Sequence, residues 1–399
     1  MRVRDLTCNH ISQAIFLTLL CAACSSNIGG EIALVPDAAP IEEPPVAPSI
    51  NATLTPLLTE FSVPALAAAV TDGSDLLALG VVGIRKSDDT ASVKLSDRFH
   101  LGSCTKAMTA TLLATLVEEG ALSWDTRLSD AFPNIDVDVG YANVTLAQLL
   151  GHRGGAWDDL YGEHADTVSL IPLNESVSDQ RSWLTNEILR QPPERDLGEF
   201  AYSNASYVIV ASAMEAVSGK SWEELTRTRL FEPLGMTSCG FGAPGSPASV
   251  DQPWGHYVED GVVVTYEPGV EDLPSWIGPA GLVHCTVYDW AKFAALHIRG
   301  AKGQASFASA ASFQRMHTPV PGPGEPYALG WEIHDLPDVP GGALSHTGSN
   351  LRWTSQVWIF PDVDRAFVSV TNQYSEITLD ALLTVFNELI PRFVPGFGS

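Results

Sequence analysis

From Val63 to Val70 the chain is a small apolar run, Val-Pro-Ala-Leu-Ala-Ala-Ala-Val, followed by Asp72-Gly73 and a second apolar run from Leu76 to Val82. Two such runs on either side of an Asp-Gly turn predict a strand hairpin with a buried face. The period changes further on. Ser103 to Glu119 contains neither proline nor glycine, sets Met108, Leu112, Leu113, Leu116 and Val117 largely on one helical side, and stops at Gly120. This predicts a long core helix that opens at or just before Ser103. Helices are also predicted over 145–150, 178–190, 203–218 and 221–230, the last opened by a Ser221/Glu224 capping box. After Pro279 comes a helix capped by Thr286, and then the strand pattern returns at 344–347, 353–360 and 366–370, with Pro361-Asp362 as a turn. A closing helix over 375–389 carries Leu379, Leu382, Leu383, Phe386 and Leu389 on one stripe. Strands at both ends with helices between them predict an α+β fold: a sheet covered by terminal helices, with a helical lobe inserted at about 120–280 and a cleft between the two.

The first fifty residues follow another pattern. Arg2 and Arg4 precede an apolar run from Ile15 to Ala23, and Cys24-Ser25-Ser26 follows. The run is about half the ~20 residues needed to span a bilayer, so residues 1–23 read as a secretory signal. Leu20-Cys21-Ala22-Ala23-Cys24 resembles a bacterial lipoprotein box with Cys24 as the lipidated residue, although Cys21 departs from it. Ser25 resembles the outer-membrane sorting pattern of such lipoproteins. Residues 24–50 hold five prolines and four acids with no Lys or Arg, the composition of a stiff solvated tether. The expectation is an exported chain held at the cell envelope by a lipid anchor alone, with 51–399 as its working domain.

Composition narrows the partners. The 399 residues include 22 Lys and Arg against 47 Asp and Glu, a formal charge of -25, which repels nucleic acid and anionic lipid surfaces. With the signal removed and Cys24 lipidated, Cys104, Cys239 and Cys285 remain; in an oxidising compartment Cys239 with Cys285 is a permissible disulfide, and buried free thiols are the alternative.

Candidate chemistry centres on Ser103-Cys104-Thr105-Lys106. Positions i and i+3 of a helix share a face, so the hydroxyl meets the amine there. A lysine desolvated beside a serine loses affinity for its proton and can take the serine's. The N–H of Ser103 at the helix start is free to help hold an oxyanion. A lone Ser-x-x-Lys is weak, since chance supplies one in roughly every second chain of this composition. Context strengthens it. Tyr202-Ser203-Asn204 opens the helix to Ser218 and offers a phenol, which a nearby ammonium can push toward phenolate to act as general base or relay, and an amide that bridges Lys106 and a substrate carbonyl. His346-Thr347-Gly348 lies on a predicted strand, where glycine permits close approach of a substrate backbone.

In this order and separation, the three motifs resemble the serine β-lactamase and penicillin-binding-protein superfamily, in the branch of class C β-lactamases, a D-alanyl-D-alanine carboxypeptidase and family VIII esterases. The similarity covers about residues 55–390 and takes in Phe99-His100-Leu101-Gly102, Phe231-Glu232-Pro233-Leu234-Gly235-Met236 and Pro279-Ala280-Gly281-Leu282. It implies an antiparallel sheet flanked by helices beside an all-helical lobe. It also implies acylation of Ser103, proton movement by Lys106 and Tyr202, substrate orientation by Asn204, His346 and Thr347, and a second oxyanion N–H from Ser349 after Gly348. No cofactor or metal is implied, and a monomer is expected to act on small esters, D-amino-acid amides or peptidoglycan-derived substrates. Class C β-lactamases usually carry Lys in place of His346. A histidine titrates near neutrality, so its help to a substrate carboxylate is expected to fade as pH rises through its pKa. Gly151-His152-Arg153-Gly154-Gly155 replaces a commoner His-Thr-Ser-Gly, and the sequence supplies no reason for Arg153.

Rival readings are weaker. No Gly-x-Ser-x-Gly elbow and no His-Glu-x-x-His occurs. Cys104 is turned ~100° from the Ser103 face and is expected to pack on the sheet. A penicillin- or cell-wall-binding module without turnover remains the alternative of a different class, and a class C-like β-lactamase the alternative within the enzymes.

Overall fold

The computed structural model describes residues 44–269, 272–336 and 339–394; the signal segment, Cys24 and the tether up to residue 43 lie outside them. The described strands are β1 Ala65–Thr71, β2 Leu76–Gly83, β3 Phe99–His100, β4 Gly240–Phe241, β5 Gly255–Glu259, β6 Val262–Tyr266, β7 Val283–Cys285, β8 Glu332–His334, β9 Ala343–Ser349, β10 Thr354–Phe360 and β11 Arg365–Thr371. Six form one antiparallel sheet in the order β2-β1-β11-β10-β9-β8. The chain's first hairpin thus lies beside its last strands.

β1 shows why this sheet can be covered on both sides. All seven residues are buried, and the period of two divides them. Leu66, Ala68 and Val70 join the core under helices Asn51–Glu60 and Thr378–Phe393, while Ala65, Ala67 and Ala69 join the larger core shared with helices Thr105–Glu118 and Val287–Ala301. Alanine at alternate positions lets helices approach both faces closely. The body also begins earlier than the predicted tether boundary: Leu79 N–H donates to Pro48 O and Ile50 N–H to Leu79 O, both at 3.1 Å, and Ile50 is buried.

The helices expected between the strands are present at Leu146–Leu150, Val177–Leu189, Asn204–Ser218 and Trp222–Thr226. At the last, Ser221 accepts from Glu224 N–H at 3.1 Å, but the Glu224 carboxylate pairs with Lys220 Nζ at 2.5 Å and does not close the capping box. The final helix, Thr378–Phe393, runs past the expected Leu389 and contains Pro391. Buried Arg181 ties the lobe together, bonding Glu215 at 2.5 Å and Glu223 at 2.8 Å. Cys239 and Cys285 form a disulfide beside the small sheet β3-β7-β4, which leads the chain into Ser103.

Candidate active site

Ser103 stands in a 3-10 turn, Gly102–Cys104, that runs directly into helix Thr105–Glu118. Gly102 has φ +50, and a Cβ there would fall 2.2 Å from Ser349 N; a Cβ on Gly348 would fall 2.0 Å from Leu101 O and 2.9 Å from Ser103 N. Two glycines are therefore required where β9 meets the Ser103 turn. Gly348 was expected to make room for a substrate; the space is taken instead by the protein's own backbone. The result is that the backbone N–H groups of Ser103 and Ser349 come to neighbouring positions beside the half-buried Ser103 side chain. β8 pairs with β9 only at Ala343, Leu344 and Ser345. Among the described residues, the stretch from His346 to Ser349 has no strand on that edge.

Lys106 is fully buried one turn along. Its Nζ lies 2.7 Å from Asn204 Oδ1, 2.8 Å from Ala280 O and 3.1 Å from Ser103 Oγ. Burial holds its ammonium well below the usual lysine range. The partners fit the neutral form. The two carbonyl oxygens can only accept, so they use both N–H bonds of an NH₂ group and leave its lone pair for the Ser103 hydroxyl proton. The Tyr202 ring lies 4.7 Å from Nζ, a cation–π contact favouring the ammonium by about 1–2 kcal/mol. Desolvation of a fully buried charge is the larger effect.

Tyr202 is hydrogen-bonded to Ser103, and burial pushes its phenol far above the ordinary range. This reverses one expectation. The nearby ammonium was expected to draw Tyr202 toward phenolate, whereas the buried site keeps the phenol protonated. Asn204 is the first residue of helix Asn204–Ser218, placed there by Ser203 as N-cap, whose Oγ accepts from Ser206 N–H at 3.1 Å and donates to Trp157 O at 2.6 Å.

His346 is buried, and both ring nitrogens are occupied. Nδ1 donates to Thr347 O at 2.6 Å and Nε2 accepts from the Tyr327 hydroxyl at 2.8 Å. Burial, only partly opposed by Glu332, holds its pKa at about 4, so the ring is neutral across the physiological range and not poised near neutrality as the sequence suggested. Thr347 and Ser349 alternate with it and are half-buried. Cys104 packs against the sheet, with Sγ 3.4 Å from His346 O and 3.3 Å from Ser355 Oγ, and burial raises its thiol to about 12. A thiol so held supplies no nucleophile.

Three contributors were not singled out from sequence. Ala280 supplies its carbonyl to Lys106, and the adjoining Pro279 O accepts from Thr109 Oγ1 at 2.7 Å. Tyr327 orients His346. His152, at φ +58, accepts the Ser203 N–H on Nδ1 at 3.1 Å and lies against the Tyr202 ring with centroids 4.2 Å apart. Nothing in a one-dimensional pattern marks a carbonyl oxygen or a tyrosine 19 residues before its partner.

Arg153 also acquires a reason. Its guanidinium is buried and donates to three carbonyls, Gly198 O at 3.0 Å, Pro323 O at 2.6 Å and Glu325 O at 2.8 Å. The first lies on the segment leading to Tyr202 and the others on the segment leading to Tyr327. One rigid fork thus fixes both approaches to the site.

The model of the family described as "Beta-lactamase" matches residues 50–389. The chain belongs to this beta-lactamase family. Its relatives include penicillin-binding protein 4 of Amycolatopsis lactamdurans, 28% identical over 84% of this chain and 87% of the relative, and penicillin-binding protein 4* of Bacillus subtilis, 27% identical over 79% and 68%. The beta-lactamase fold recurs in the class C beta lactamase of Rhodobacter sphaeroides, with TM-score 0.66, 21% identity and coverage of 86% of this chain and 98% of that one. It recurs also in the D-amino acid amidase of Ochrobactrum anthropi SV3, with TM-score 0.65, 20% identity and coverage of 85% and 97%. Beta-lactamase-family members of this kind are hydrolases, and the chain is a hydrolase of that family. Among the described residues no helix is long and apolar enough to cross a membrane.

Proposed function

We propose that this hydrolase works through an acyl-enzyme on Ser103 and acts on small esters or D-amino-acid-containing amides. The observation that carries the reading is the contact of Ser103 Oγ with Lys106 Nζ at 3.1 Å, where the other two partners of Nζ are carbonyl oxygens. Neutral Lys106 takes the Ser103 proton as Oγ attacks the substrate carbonyl. Charge on the carbonyl oxygen gathers between the N–H groups of Ser103 and Ser349. As the tetrahedral intermediate collapses, the bond to the leaving oxygen or nitrogen breaks, and the proton on Lys106 passes to that atom through the Tyr202 hydroxyl. Water attacks the resulting ester by the same relay in reverse, releasing the acid and restoring Ser103. Asn204 holds Lys106 and the substrate amide, and the half-buried Thr347 lines the open edge of β9.

The neutral His346 brings no positive charge to a substrate carboxylate, which favours esters and amides without a carboxylate over efficient β-lactam hydrolysis. D-amino acid amidase among the structural relatives supports the same substrate class. A panel of p-nitrophenyl esters, D-amino-acid amides, a D-Ala-D-Ala peptide and a chromogenic cephalosporin, run on wild type and Ser103→Ala, tests the proposal, with intact mass reporting any adduct. Turnover lost in Ser103→Ala is the expected result. An enzyme that binds cell-wall fragments or penicillin yet turns over none of the panel would instead be a binding module.

We also propose that the monomer is tethered to the cell envelope through lipidated Cys24. Acyl-chain labelling of wild type, absent in Cys24→Ala together with release of activity from the membrane fraction, is the expected outcome.

A further inference from the structure

A half-buried carboxylate takes no part in the steps above. Asp272, with 12% of its side chain exposed, accepts on Oδ1 from Asn350 Nδ2 at 3.1 Å and from Leu273 N–H at 2.8 Å. Its Oδ2 is buried and has no hydrogen-bond partner among the described residues. His100 faces the same group. Nδ1 accepts from Gly102 N–H at 3.1 Å, so the proton is on Nε2, which is buried, unpartnered and 4.0 Å from Asp272 Oδ1. The Tyr161 hydroxyl is the third such atom; burial first and the nearby Asp272 charge second push its phenol up.

Two segments far apart in sequence thus set unpartnered buried polar atoms of His100 and Asp272 face to face, and the Tyr161 phenol feels the same negative charge. The location matters as much as the chemistry. Asn350 follows Ser349 and Gly102 precedes Ser103, so the cluster is one residue removed from each N–H of the proposed oxyanion pair. Gly242 approaches Oδ2 with backbone alone, and a Cβ added there would stand 3.4 Å from it. Among the described residues no lysine or arginine pairs with Asp272. A buried carboxylate oxygen is normally hydrogen-bonded or ion-paired, because leaving it bare costs the full desolvation of the group.

We infer that Asp272 Oδ2 receives the ammonium group of the substrate, so that the preferred substrates are amides or esters of amino acids whose amine is free. The Tyr161 oxygen accepts a second ammonium N–H. Asn350 Nδ2 and Leu273 N–H hold Oδ1 in place, and His100 Nε2 faces it at 4.0 Å. This rests on the acyl-transfer reading of Ser103 and adds the substrate's charge to it. The chain's strong negative charge, -25, also draws a cationic substrate rather than an anionic one.

The test compares D-alanine p-nitroanilide with its N-acetyl derivative on wild type and Asp272→Asn. Asparagine keeps an oxygen for Asn350 and Leu273 and removes the charge. Wild type is expected to prefer the free amine, and Asp272→Asn to lower kcat/KM for it by about 30-fold or more, as expected for a lost buried charge partner, leaving the acetylated substrate within about threefold. Equal losses on both substrates, or no loss on either, would overturn the inference and leave an ordered water as the occupant of the cluster. If the variant does not fold, the wild-type preference decides alone, and a ratio at or below one overturns it. Should wild type turn over neither anilide, the acyl-transfer reading is decided by the ester and peptide panel above. Calorimetric binding of D-alaninamide against its N-acetyl analogue to Ser103→Ala then still tests the ammonium site by itself.

Discussion

Replacing Arg153 with methionine removes a buried fork while keeping most of its stem. Its three hydrogen bonds run from a charged donor to neutral carbonyls at 2.6–3.0 Å, a type worth about 1.5–3 kcal/mol each, or about 5–9 kcal/mol in gross terms. Two effects offset this. Methionine has no charge to desolvate, and carbonyls on surface segments recover water once the segments part. A net loss of about 3–4 kcal/mol is expected, near the upper end for a single substitution. Urea denaturation followed by tryptophan fluorescence measures it, the shift appearing in the midpoint at unchanged slope. Activity should fall further than the folded fraction does, because Gly198 leads to Tyr202 and Pro323 to Tyr327, and a displacement of about 1 Å at a reacting group costs about 100-fold. Arg153→Lys should lie between, since one ammonium cannot span three carbonyls on two segments. If Arg153→Met unfolded within about 1 kcal/mol of wild type and kept its kcat, the reasoning from the three carbonyls would be wrong.

Other outcomes follow from the same geometry. In the proposed mechanism the proton acceptor is neutral Lys106, whose pKa is depressed by burial, so kcat/KM should fall as pH drops through that pKa and level off above it. His346, held at about 4, should add no limb between about pH 6 and 8; a limb there that vanished in His346→Asn would contradict its buried, neutral state. Folding stability should weaken as pH falls below about 6.5, because the unfolded chain takes up protons that the native His256, His317 and His346, each held at about 4 by desolvation, refuse. Each such proton adds a slope of about 1.4 kcal/mol per pH unit, readable in urea midpoints from pH 7 to 5. Gly348→Ala forces a Cβ to within 2.0 Å of Leu101 O, and a loss of kcat of about 100-fold or more is expected. Reduction of Cys239–Cys285, which are 46 residues apart, should cost about 4 kcal/mol if loop closure dominates, measured by denaturation with and without reductant.

Local pattern alone was enough for much of this molecule. The first hairpin, the helix behind Ser103, the N-caps Ser203 and Thr286 and the last strands repeat at periods of 2 or 3.6, and short-range chemistry decides such elements wherever they fold. The spacing of Ser103 and Lys106 belongs to the same class, since a helix brings i and i+3 together by itself. Order along the chain then tied Tyr202, Asn204 and His346 to them. What lay beyond the sequence was environment. Burial, a property of the packed whole, depresses Lys106, keeps Tyr202 protonated and turns His346 from a switch near neutrality into a neutral strut. The pairing of Cys239 with Cys285, the backbone contact that requires Gly102 and Gly348, the carbonyl of Ala280 and the three carbonyls around Arg153 all join residues far apart in sequence. Desolvation and long-range contact have no signature in a local window, so the residues of the proposed chemistry were legible in the chain, and their protonation states only in the fold.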